Sequence, residues 1–359
     1  MTALQALRHQ VRARGFSTRP TPRVLAELAL HVALAAGGIA LCATASTTAG
    51  GIARYALGLA LVTAGGMGIG TNCHCASHHA TSRSRALDAA LTYFGFSVFL
   101  LVSTTWWRVR HLAQHHPTPN IIGVDRDIEF RGWLRFTDRD PPPRGAMRSA
   151  SRSLRRAAVV VILLGFLPAL QVSSLGFLAE HLRDRAKRRR AHVDDLGALL
   201  VGAALWFVLP LAWFSIGDVL VFHALRIPLL SLALFAAFGP AHLHAESAVL
   251  DARLRDGDPL LVYTATTIDF ATGPLGRLFC AGLDYHVEHH LFPELSYVHY
   301  PALQPIVEAY CREHGYPYRR LRWGAALRRS IENLADGKPV IDSDAALAEF
   351  AAVSARRAR

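Results

Sequence analysis

The sequence predicts an all-α integral-membrane fold, with four transmembrane helices, interfacial or re-entrant helices between them, and a cytoplasmic helical cap that carries three histidine clusters. Three observations predict it. Of the 359 residues, 52% are hydrophobic and the mean hydropathy is +0.23, values that point to a bilayer protein. Several apolar stretches run to about 20 residues, the length that crosses a hydrocarbon core of roughly 30 Å. The histidines crowd together at His74, His78 and His79, at His111, His115 and His116, and at His286, His289 and His290.

Residues 24–43 form the first predicted span. Its Glu27 and His31 sit in the first turns, near the interface, where ionisable groups need no functional role. Residues 52–71 make the second. The G-G-M-G-I-G within it lacks dinucleotide-loop spacing and reads as small residues for close helix contact. The first cluster follows at once. Residues 86–105 are apolar, but if they crossed the bilayer the first and second clusters would face opposite compartments, so they are expected to be interfacial or re-entrant. Among 157–179, 196–214 and 219–240 only an even number can cross. The basic run at 181–190 belongs in the cytoplasm by the positive-inside tendency, which makes 196–214 and 219–240 the spanning pair and leaves 157–179 on the surface or re-entrant. The alternative pairs 157–179 with 196–214. Residues 125–156 and 301–359 are soluble in character, with Pro141–Pro143 as a rigid loop, and the basic-apolar stretch from Arg319 suits either a surface-lying or a solvated helix.

The 39 basic and 27 acidic side chains give a net charge of +12, read as membrane topology and not as a nucleic-acid partner, since no basic motif is interleaved with aromatics. The five cysteines form no paired framework, in keeping with reduced thiols on a cytoplasmic face. Lys187 and Lys338 are the only lysines in an arginine- and alanine-rich chain, a composition that suggests a bacterial source and hence the inner membrane. Residues 1–23 are basic without a long apolar core and are expected to be a cytoplasmic tail rather than a cleaved signal.

His74 and His78, and His111 and His115, are four residues apart, and His286 neighbours both His289 and His290 on a helix. Such spacing binds metal. Imidazole suits iron, zinc, copper or nickel, and three clusters exceed the needs of one tetrahedral ion, so two metals sharing a site is the economical reading. His79 lies off the face of His74 and His78, and His244 points away from His242; neither is expected to ligate. Glu288 is open to an imidazole hydrogen bond or to solvent, Asp125 and Asp127 to tethering the second cluster or capping a loop, and Trp106 and Trp107 to lining a tunnel. No Glu-x-x-His pair, H-E-x-x-H, nucleophile elbow or phosphate loop is present. Paired irons beside apolar walls suit oxygen activation.

From about residue 50 to 317 the chain resembles the integral-membrane fatty acid desaturases. G-L-D-Y-H-V-E-H-H-L-F-P is similar to that family's third histidine box, and W-W-R-V-R-H-L-A-Q-H-H followed by an Asn, Gly, Asp, Asp run to its second. F-G-P-A-H, ending at His242, looks like its isolated ligand segment. Three departures stand out: Cys75 where the first box usually has Asp, three residues between His111 and His115 where near relatives have two, and His286 where front-end desaturases usually carry Gln. No haem-binding His-Pro-Gly-Gly segment occurs. The resemblance implies a metal-ligand set of His74, His78, His111, His115, His116, His242, His286, His289 and His290 holding two iron ions, with O2 as co-substrate. It also implies a fatty acyl substrate on CoA, lipid or carrier protein, and an external electron donor of ferredoxin or cytochrome b5 type with its reductase. The expected layout is a cytoplasmic tail at 1–23, a desaturase domain at 24–317 and a basic cytoplasmic tail at 318–359. A di-iron hydroxylase of lipids, carotenoids or alkanes is the alternative, and a metal transporter the remote one.

Overall fold

The apolar stretches become helices whose bends, more than their lengths, place the histidines. A computed structural model of the chain describes residues 1–130, 134–142 and 145–357. Pro143 of the Pro141–Pro143 run lies outside the described residues. In chain order the elements are α1 (Ala3–Ala13), α2 (Thr21–Ala43), α3 (Ala49–Ser77), α4 (Arg85–Tyr93), α5 (Thr104–Trp107), α6 (Arg152–Leu163), α7 (Phe166–Arg183), α8 (Arg190–Ala203) and α9 (Ile216–Phe238). They continue with α10 (Pro259–Thr266), β1 (Asp269–Ala271), α11 (Gly273–Cys280), α12 (His286–Leu291), α13 (Tyr300–His314), β2 (Arg320–Arg322), α14 (Trp323–Asp336) and α15 (Asp344–Arg357).

Four helical stretches are long and apolar enough to cross a membrane: Thr21–Ala43, Ala49–Ser77, Arg190–Ala212 and Ile216–Ala241. Among the described residues these four overlap the segments 196–214 and 219–240, and two bent helix pairs, Arg85–Leu100 with Thr104–His115 and Arg152–Leu163 with Phe166–Arg183, are also apolar and long enough when each is taken as one stretch. The apolar segment at 86–105 is not one straight helix. α4 runs into a π-helix, Phe94–Leu100, and then turns by 115° into α5, with Leu101 at φ 56° in the hinge. A bend of this kind marks either a broken span or a re-entrant loop, the second being the expectation from the sequence. α6 and α7 are likewise bent by 50° at Leu164 and Gly165. α2 and α3 approach closely because their glycines allow it: a Cβ on Gly65 would sit 2.5 Å from the His31 carbonyl oxygen, and one on Gly68 would enter the His31 ring. His31 is thus a fully buried packing residue whose Nε2 lies 3.2 Å from Leu278 O, deeper than its position near the start of the span suggests.

Both predicted tails fold onto the cap. α1 begins with a capping box at Thr2 and Gln5 and buries Leu4, Leu7 and Val11 against α12 and α13. The stretch from Arg319 is neither a single surface helix nor free. Arg320–Arg322 pair in parallel with Asp269–Ala271, and only from Trp323 does α14 form, packing Leu334 and Ala335 against Phe136, Val159 and Phe235. Apolar residues spaced for burial, not the basic ones between them, decide where this segment lies.

Candidate metal centre

The nine expected ligands, the three clusters and His242, come from four separate segments. His74 is in the last turn of α3 and His78 just beyond it, because α3 continues well past the predicted end of its span. His111 and His115 lie on a π-helical continuation of α5, Arg108–His115. His242 follows α9, and His286, His289 and His290 are all on α12. Eight of the nine are under 9% exposed, and His78 is partly buried.

The nitrogens converge in two groups. One ring nitrogen from each of His74, His78, His111, His116 and His289 lies within 4.8 Å of the others, and the same holds for His115, His242 and His290. In the first group His74 Nε2 is 2.9 Å from His111 Nε2, which is 3.2 Å from His116 Nε2, itself 3.1 Å from His289 Nε2. In the second, His242 Nε2 is 3.1 Å from His290 Nε2, and His286 Nε2, outside that group, lies 2.8 Å from His242 Nε2. The groups touch, with the rings of His116 and His290 stacked at 4.4 Å.

The π-helix alters the expected division of the second cluster. On an α-helix His111 and His115 would share a face and His116 would point elsewhere. With i→i+5 hydrogen bonding, shown by the His116 amide donating to His111 O, His111 and His116 share a site and His115 turns to the other group. A residue more than the usual spacing is what a π-turn absorbs.

A divalent cation fits this arrangement. A neutral imidazole has one N–H and one lone pair. His111 gives its Nδ1–H to Asp127 Oδ2 at 3.1 Å, His115 gives its own to Asp125 Oδ2 at 2.9 Å, and His286 donates to Leu283 O at 3.1 Å. Each is left with a bare Nε2 lone pair aimed at other imidazoles. Chains of ring nitrogens about 3 Å apart cannot all be satisfied by one another, whereas a cation between them accepts every lone pair. Burial, with neighbouring imidazoles adding to it, holds the pKa values of His116, His242, His289 and His290 well below the usual histidine range, and pushes those of His78 and His286 down to about 3. Neutral imidazole is the form that ligates.

Behind the imidazoles stands a polar frame that the sequence reveals only in part. Asp125 also accepts from the amides of Asn120 and Asp127, and Asp127 pairs with Arg110 at 2.7 Å, so both carboxylates tether the second cluster. The Asn120 side-chain nitrogen lies 3.0 Å from His242 O and 2.9 Å from Ala248 O, linking the second cluster to the His242 segment. Glu288 bonds neither solvent nor an imidazole. It is fully buried and shares the Tyr318 hydroxyl with Asp269, at 2.9 and 2.6 Å. Burial, reinforced by the facing carboxyl, raises the pKa of Glu288, so the two share a proton. Cys75 points away from the imidazoles, to Ala281 O at 3.1 Å, and His74 Nδ1 has no partner among the described residues. Asp269, Tyr318 and Lys338 were missed because nothing in the local pattern marks a polar residue that packs behind a distant cluster.

The residues read as bystanders stay outside both groups. His79 has φ 57° and a half-exposed ring 3.9 Å from Asp88. His244 accepts from the Glu246 amide at 2.7 Å.

An apolar cavity of about 120 Å³ reaches the imidazoles. It is lined by Phe96, Leu100, Trp106, Trp107, Leu167 and Phe238 together with His111, His115, His242 and His286. Trp107 stacks on His111 at 4.2 Å, fixing the ring while facing the cavity.

Comparison with known proteins comes to the same place. The model of the fatty acid desaturase family matches residues 50–322. The sn-1 linoleoyl-lipid 6-desaturase of Synechocystis sp. is 30% identical over 261 residues, covering 68% of this chain and 69% of its own length. An acyl-lipid (8-3)-desaturase of Physcomitrium patens is 29% identical over 65% of this chain and 48% of its own. A chloroplastic acyl-lipid (7-3)-desaturase of Chlamydomonas reinhardtii is 28% identical over 72% of this chain and 51% of its own. The chain thus spans about two thirds of the first relative and about half of the other two.

Proposed function

This chain belongs to the fatty acid desaturase family, and from that premise we propose that it is an O2-dependent membrane enzyme that introduces a double bond into a lipid-linked fatty acyl chain. The observation that carries this reading is an apolar cavity whose lining includes convergent imidazoles. An acyl chain has nothing to offer but CH2 groups, so the protein recognises it by shape and by exclusion of water. The relatives named for acyl-lipid substrates support a lipid carrier.

His74, His78, His111, His116 and His289 are assigned to one iron, and His115, His242, His286 and His290 to the other. Iron bound there would supply O2 reduction and hydrogen abstraction from an unactivated C–H bond. The protein's own part is mechanical and electrostatic. Asp125, Asp127 and Leu283 O hold the imidazoles by their Nδ1–H groups, Trp107 and Phe238 hold the methylenes beside the imidazoles, and the dry cavity keeps water from competing. Overall, R–CH2–CH2–R′, O2, two electrons and two protons give R–CH=CH–R′ and two waters. The electrons come from an external carrier. The basic run at 181–190 favours histidine boxes on the cytoplasmic side of a bacterial inner membrane, with residues 24–317 as the catalytic domain.

The test is acyl-lipid profiling of a host that expresses the chain with iron, against one expressing a His286→Ala variant. New unsaturation confined to the unaltered chain is the expected result. Hydroxylated acyl groups in place of unsaturated ones would overturn desaturation in favour of oxygen insertion on the same site.

A further inference from the structure

Next to the third histidine cluster, the cap carries a basic groove that neither the metal centre nor the acyl cavity uses. α1 buries Leu4, Leu7 and Val11 in the core cluster that holds Leu291 and Phe292, leaving Arg12 exposed and Arg8, one turn earlier, half-buried. Arg8, Arg12, Phe16, Arg19, Phe292 and Glu294 line a groove of about 230 Å³. Arg23 pairs with Glu27, but among the described residues no carboxylate lies within ion-pair distance of Arg8, Arg12, Arg14 or Arg19. The floor of the groove is chemically close to the metal centre. Arg8 Nη2 donates to Leu291 O at 3.1 Å, and Leu291 is bonded to His290.

We propose that this groove is the docking surface of an acidic one-electron carrier protein, whose electrons enter the metal centre through the Leu291–His290 segment. The proposal rests on the desaturase reading above, since it needs an enzyme that consumes electrons. Each encounter oxidises the carrier by one electron. Two encounters supply the electron pair that, with two protons and the two hydrogens lost by the acyl chain, reduces O2 to two waters. Three features favour a protein over other anions. The groove and the acyl cavity share no lining residue, so the groove is a site apart from the one that takes the acyl substrate. Arg8 is drawn inward to Leu291, on a helix separated from the first span by Gly15–Pro20, and so belongs to the cap more than to the lipid interface. Electron transfer falls off exponentially with distance, and Phe292, which lines the groove, is two residues along the chain from His290. Unpaired surface cations are also what steers an acidic partner into register.

The experiment uses the full chain, iron-loaded in nanodiscs, and an Arg12→Glu/Arg19→Glu variant. The probes are a reduced acidic [2Fe–2S] ferredoxin and, separately, a soluble cytochrome b5, with binding read by biolayer interferometry at low and high salt. At least one carrier should bind the unaltered chain, and the variant should bind it about tenfold more weakly at low salt, with the difference shrinking at high salt. Iron content should be unchanged and donor KM raised at similar kcat. Absence of binding to the unaltered chain, or equal binding to both, overturns the proposal. So does a variant that keeps carrier affinity but loses affinity for anionic vesicles, which would make the groove a lipid site, or one that changes only the acyl KM. Because binding is read directly, a chain that docks the carrier but forms no double bond contradicts the desaturase reading and leaves the docking surface standing.

Discussion

The side-chain nitrogen of Lys338 lies 2.6 Å from the carbonyl oxygen of Ser247, deep in the segment that follows His242. It also reaches His244 O at 2.8 Å and Ser247 Oγ at 3.0 Å, while the Ser247 hydroxyl bonds back to His242 O. A residue beyond the family match thus organises the loop that holds a proposed ligand.

Lys338→Met keeps the stem and removes every donor. Leaving buried carbonyls unsatisfied costs on the order of 2–3 kcal/mol. The variant should therefore melt lower, and because the loop carries His242 it should lose activity by roughly 10- to 100-fold, with reduced iron content. Thermal unfolding and metal analysis read this out. Full iron and full activity would show that Lys338 only packs.

Asp195 holds the sharp turn at Leu101 together. Its Oδ1 accepts from Ser97 Oγ at 2.6 Å and the Thr104 amide at 3.1 Å, and its Oδ2 from Ser103 Oγ at 2.6 Å and the Thr105 amide at 2.9 Å. These groups flank Leu101 and start α5, the element that leads to His111. Asp195→Asn turns a donor amide towards donors, at a cost of about 3 kcal/mol. We expect lower yield of folded protein and reduced activity, while Asp195→Glu recovers part of each. Unchanged stability in the Asn variant would remove this role.

The pH dependence of the metal-free chain follows from the imidazoles. His78 and His286 have folded pKa values near 3, and His116, His242, His289 and His290 are also held low by burial. In the unfolded chain all of them titrate near the ordinary value of about 6.5. The unfolded state therefore binds more protons below that pH, so the stability these groups provide is present above about 6.5 and is lost as pH falls towards their folded values. Four groups act oppositely: burial raises Asp269 and Asp284 to about 6 and Glu288 well above the usual carboxylate range, and at His115 the Asp125 carboxylate outweighs burial and raises the imidazole, so their contribution is lost as pH rises through the folded values. The more numerous imidazoles should prevail. Melting temperature of the metal-free protein should drop from pH 7 to pH 5, and less steeply in His286→Gln. A flat or rising profile would contradict the burial of neutral imidazoles.

Much of this was legible because a membrane chain writes its spans as long apolar runs and its metal chemistry as clustered histidines. The bend at Leu101 was inferable only from the need to keep two clusters on one side, an argument about compartments and not about local residues. The π-helix was not legible: His111, His115 and His116 fit α-helical spacing, and the wider turn depends on how α5 seats against α7 and α8. Glu288, Asp269 and Tyr318 meet from three separate segments, and no short-range pattern encodes that meeting.

The ligand assignment is the sharpest test. His286 and His290 line up with His242, and His289 with His116, through Nε2 contacts of 2.8 to 3.1 Å. His79 is carried outward by its left-handed φ of 57°, and His244 uses Nδ1 to accept from the Glu246 amide. Alanine at His286, His289, His290 or His242 should abolish product and lower bound iron, because each removes a lone pair that no neighbour replaces. Alanine at His79 should leave substantial activity. His244→Ala disturbs a buried loop beside Lys338, so it should lower the melting temperature while the iron that remains bound keeps an unaltered Mössbauer signature. If His79→Ala and His244→Ala instead lost iron as completely as His289→Ala, the division between ligand and neighbour drawn from these distances would be wrong.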